Sequence, residues 1–204
     1  MGRKYASIHV LDVPLVYTEQ EIRKCYGKGR LSPQEAVERF IEQYIKMSKA
    51  LGDEDEYPPQ ALIDHERRFA EGEYGKLQVV RSNHFWSIFD EDLSLGTVIN
   101  KTRELSKEFG SPVVYTSNFD DSVFVMGVYM QGRCRTKLAT GEQLTEYGIK
   151  RVNLNLKAFF ECFDFVDKIK SQLLRKVSDV SDAEELVSGV LEIPLCNHHG
   201  TKKP

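Results

Sequence analysis

The chain reads as an α+β protein built on a central mixed five-stranded sheet in the order β-β-α-β-β-β, with flanking N-terminal and C-terminal helices. Three observations point there. Residues 77 to 140 hold five short runs of branched and aromatic side chains bounded by turn residues. Between the second and third runs, Leu95, Val98, Ile99, Thr102, Leu105 and Phe109 recur at helical spacing. On either side of this central third, the apolar pattern is that of helices.

In chain order, Tyr5 to Leu11 is expected to be a strand, from the Ile8 and Val10 pair around His9. Thr18 followed by Glu21 is a capping-box pattern, opening a short helix with Ile22, Cys25 and Tyr26 inward. Ser32, Pro33 and Glu35 start a longer helix whose face is Val37, Phe40, Ile41, Tyr44, Ile45, Ser48 and Leu51. After the acidic run 53 to 56, read as a solvated linker, a helix over about 59 to 71 turns Leu62, His65 and Phe69 inward. Strands follow at 77–81 and 85–89, then a helix from Ser94 to Phe109 that Gly110 stops, then strands at 113–116, 123–130 and 133–138. From Gly141 onward helices return, with Phe159 and Phe163 on one face and Ser181 with Glu184 as the capping box of the last. One domain spans 1–204, with subregions 1–76, 77–140, 141–196 and a tail at 197–204.

Charge and cysteine usage narrow the partners. The net charge is -3, and the three successive regions carry -2, 0 and -1, so no basic field attracts a phosphate backbone and nucleic acid is disfavoured. Cys25, Cys134, Cys162 and Cys196 form no CxxC pair. With no signal peptide and no apolar span, a cytoplasmic protein that does not enter membranes is expected.

The sharpest site hypothesis concerns acids. The strands at 85–89 and 113–116, joined by one helix, are expected to run parallel, which places their carboxyl ends together. Asp90, Glu91 and Asp92 follow the first; Asn118, Asp120 and Asp121 follow the second. Asp90, Asp92, Asp120 and Asp121 would then hold Mg²⁺ for a hydrolase, Asp90 and Asp120 as ligands. The competing reading makes them caps and turn residues.

Other constellations are weaker. Arg133, Arg135 and Lys137 alternate along a strand as an anion-binding stripe or a charged edge. Cys134 between two arginines would have its thiolate favoured if they shared its face. Cys196, His198 and His199 lack an evident fourth ligand, and His9 and His65 read as structural. The leading expectation is an intracellular, non-enzymatic protein-binding or regulatory domain that engages a protein partner or its own copy. No cofactor is expected, apart from Mg²⁺ under the hydrolase alternative.

Overall fold

The computed structural model describes residues 4–13, 15–27, 33–51, 57–70, 77–91 and 93–196. Asp92, the acidic run 53–56 and the tail 197–204 lie outside the described residues. The chain divides into two compact units, Gly27–Leu77 and the remainder, Met1–Tyr26 with Gln78–Pro204.

The smaller unit is a pair of helices in contact, α2 (Pro33–Leu51) and α3 (Gln60–Ala70). Val37 and Ser48 of α2 are buried as the periodicity predicts. Among the described side chains of α3, Ile63 is buried, while Leu62 is 43% exposed and His65 is also exposed; the Phe69 side chain lies outside those described. Each residue turns a helix by about 100°. A one-residue error in phase therefore moves the apolar stripe off its partner.

The larger unit contains β1 (Lys4–Leu11), α1 (Glu19–Gly27), β2 (Gln78–Arg81), β3 (Phe85–Phe89), α4 (Leu95–Phe109), β4 (Val113–Phe119), β5 (Val123–Met130) and β6 (Arg133–Gly141). Three short helices follow: α5 (Leu156–Cys162), α6 (Lys168–Leu173) and α7 (Val180–Leu191). The strands form one six-stranded sheet in the order β2-β3-β1-β4-β5-β6, and each of its ladders is antiparallel.

This corrects the expected mixed sheet of five strands in the order β-β-α-β-β-β with flanking terminal helices. A sixth strand is present, and helices are interspersed along the whole order of elements. β3 and β4 do run in the same direction, but β1 lies between them and pairs with both, Ser7 opposite Phe89 and opposite Thr116. No hairpin ties β1 to either neighbour, so nothing local in the sequence assigns it a place.

Strand alternation gives the sheet two buried faces. On one, Leu11, Phe85, Val114, Phe124, Met126, Val128 and Leu138 pack with Phe159, Phe163, Val187 and Leu191 of the C-terminal helices. Phe159 and Phe163 are fully buried, worth about 2–3 kcal/mol each in water-exclusion energy. The other face, with Ile8, Val10, Val113 and Tyr115, lies under α4, whose Val98 and Leu105 are buried. Here the Tyr115 ring occupies the space above Gly127, where a Cβ would meet it at 2.3 Å.

Helix ends follow local chemistry. The predicted box at Thr18 and Glu21 forms: the Glu21 carboxylate accepts from the Thr18 N–H at 2.7 Å, and Thr18 Oγ1 accepts from the Glu21 N–H at 3.3 Å. Ser94 caps α4, and Gly110 at φ 64° ends it. At α7 the cap is Asp179 rather than Ser181, since Asp179 accepts from the N–H groups of Ser181 and Asp182. That frees Glu184 to turn toward the sheet.

Candidate functional site

The acids that the sequence brings to one end of the sheet take separate positions there. Phe89 is opposite Ser7, whereas Phe119 is opposite Lys4, so the two strand ends are offset by three residues of β1. That is about 10 Å along the strand, with two strand spacings of about 4.8 Å between them. Asp90 is buried and accepts from the Tyr26 hydroxyl of α1 at 2.7 Å. Asp120 instead meets Lys4 Nζ at 3.0 Å and accepts from the Tyr147 hydroxyl at 3.0 Å. The hydrogen bond from Lys4, then that from Tyr147, holds the Asp120 carboxyl below the usual aspartate range. Among the described residues, no group of three or more His, Cys, Asp or Glu is arranged to hold a metal ion.

Asp120 and Asp121 make the β4–β5 turn. Their φ values are 52° and 56°, and the Ser122 N–H donates to the Phe119 carbonyl at 2.9 Å. Two consecutive left-handed residues closed in this way form a type I′ turn, whose twist suits an antiparallel hairpin. Asn118 braces it by accepting from the Asp121 N–H at 3.0 Å. Glycine is the preferred second residue of such a turn, because a Cβ is strained there. Asp121→Gly is expected to stabilise the fold by about 0.5 kcal/mol, a rise in Tm of about 1–2 °C by calorimetry. A fall in Tm would mean that the Asp121 side chain contributes more than the strain costs.

The cationic stripe is interrupted by a bulge. The β5–β6 register shifts at Val128 and Tyr129, so Thr136 lies opposite Val128 while Cys134 lies opposite Tyr129. Arg135 pairs with Glu161 of α5 at 2.9 Å, and Lys137 lies opposite Gly127, on the Cys134 side of the strand. Arg135 and Lys137 therefore do not line up as strict alternation predicts. Burial pushes the Cys134 thiol up, outweighing the lowering influence of Lys137.

The residues that do converge are ones the sequence reading left as structural or passed over. On the C-terminal-helix face, alternation lines up Tyr5, Ser7 and His9 of β1 with Ser87, Thr116 and Asn118. Ser7, His9, Ser87 and Thr116 are all 0% exposed. His9 Nδ1 lies 2.9 Å from Ser87 Oγ, and its Nε2 lies 2.9 Å from Ser7 Oγ. Ser7 Oγ is in turn 2.7 Å from Thr116 Oγ1 and donates to the Leu195 carbonyl at 3.0 Å.

Ser7 has one hydroxyl proton, and it goes to Leu195. His9 must then donate from Nε2 to Ser7 and accept at Nδ1 from Ser87. Through Ser7 the chain ties the Leu195 carbonyl, and with it the 193–196 segment, to the sheet. Nearby, one Glu184 carboxylate oxygen accepts from the Tyr5 hydroxyl at 2.6 Å and also from the Asn118 amide. The signal available for this network was strand alternation in β1 and β4, where polar residues recur at every second position of strands buried on both faces.

A second buried carboxylate organises the end of β1. Asp12 Oδ1 accepts from the N–H groups of Val16 at 2.8 Å and Tyr17 at 3.1 Å. Its Oδ2 accepts from Trp86 Nε1 at 3.1 Å and lies 3.5 Å from Arg81, which stacks 5.1 Å from the Trp86 ring. The loop so held presents Val13, Leu15 and Val16 to solvent, each more than half exposed.

On the surface of the larger unit, a groove of about 360 Å³ runs between α6 and α7. Leu173, Val177 and Leu186 supply its apolar lining, with Lys176 from the turn after α6 and with Asp182 and Glu185 from α7. Ile169, one helical turn before Leu173, is 80% exposed.

No family model, curated protein or solved structure matches this chain. Among the described residues, no helix is long and apolar enough to cross a membrane.

Proposed function

We propose that the chain is a non-enzymatic, intracellular protein-binding domain whose docking surface is the α6–α7 groove. The exposure of Ile169 and Leu173, at 80% and 54%, beside an apolar groove carries this reading. Two branched aliphatic side chains four residues apart on a helix share a face. Burying both against a partner gains roughly 1.5–3 kcal/mol each. The polar groups of the interior support the same reading from the other side: buried His9 and Asp12 and half-buried Glu184 are each committed to partners that hold the fold. The Mg²⁺-hydrolase alternative draws no comparable support, because Asp90 and Asp120 are engaged with different elements.

The test places a photo-crosslinking residue at Leu173 and, as a control, at exposed Lys157 of α5, and irradiates native lysate. Discrete adducts specific to position 173, and lost in an Ile169→Glu background, are expected. The same adduct pattern from both positions would sink the proposal.

A further inference from the structure

We draw no further inference here: the strongest candidate, the loop after β1 that Asp12 holds with Val13, Leu15 and Val16 exposed, is an unpartnered apolar patch, and nothing in the structure shows what covers it.

Discussion

Lowering the pH from about 6.5 to about 4.5 is expected to cost the folded state about 2 kcal/mol through His9 alone. Burial pushes the pKa of this imidazole from the usual 6.5 down to about 3. Between those values the unfolded chain binds a proton at His9 and the folded chain does not. Stability therefore rises with pH across the window, with a slope approaching about 1.4 kcal/mol per unit, and levels off above it. The structural reason is specific. The ring is fully buried, and burial disfavours the charged imidazolium. No solvent reaches the ring to compensate. Urea midpoints of the parent and of His9→Gln, taken at several pH values from 7 down to 4.5, test this. The variant should lose about 1–2 kcal/mol at pH 7, from imperfect hydrogen bonding to Ser7 and Ser87. It should also show a shallower decline with acid. Parallel declines would place the pH dependence elsewhere.

Asp12→Ala is expected to destabilise the larger unit by about 3 kcal/mol, because it removes the acceptor shared by two backbone amides, an indole N–H and a guanidinium. Asp12 is 1% exposed, so the groups it leaves behind gain little water in exchange. Trp86 is the only tryptophan of the chain, and its Nε1 donates to Asp12. Its fluorescence thus reports the site and the unfolding transition together. The expected result is a lower urea midpoint, with a native-state emission shift as Trp86 and the loop carrying Val13, Leu15 and Val16 loosen. An unchanged midpoint would show that the second acceptor of Trp86, the Tyr17 carbonyl at 3.3 Å, and solvent suffice.

Much of the local structure was legible in the residues themselves. The box at Thr18 and Glu21, the stop at Gly110 and the apolar stripe of α4 formed as read. Each of these depends on groups a few residues apart, whose geometry a helix sets regardless of its surroundings. The Asp120–Asp121 pair lay at the edge of this local reach. Turn and ligand readings both fitted its composition, and the positive φ values with the Ser122 N–H closing on Phe119 mark the turn.

What the tertiary structure alone decided is where elements distant in sequence meet. Inserting β1 between β3 and β4 made the sheet antiparallel throughout, set the two acid-bearing strand ends apart and gave Asp90 and Asp120 different partners. The same insertion brought His9 of β1 between Ser87 of β3 and the Ser7–Thr116 pair, and Glu184 of α7 onto Tyr5 and Asn118. Local propensity specified that β1 is a strand. Its neighbours were chosen by burial of both sheet faces, a non-local free energy that depends on the register and packing of the whole unit.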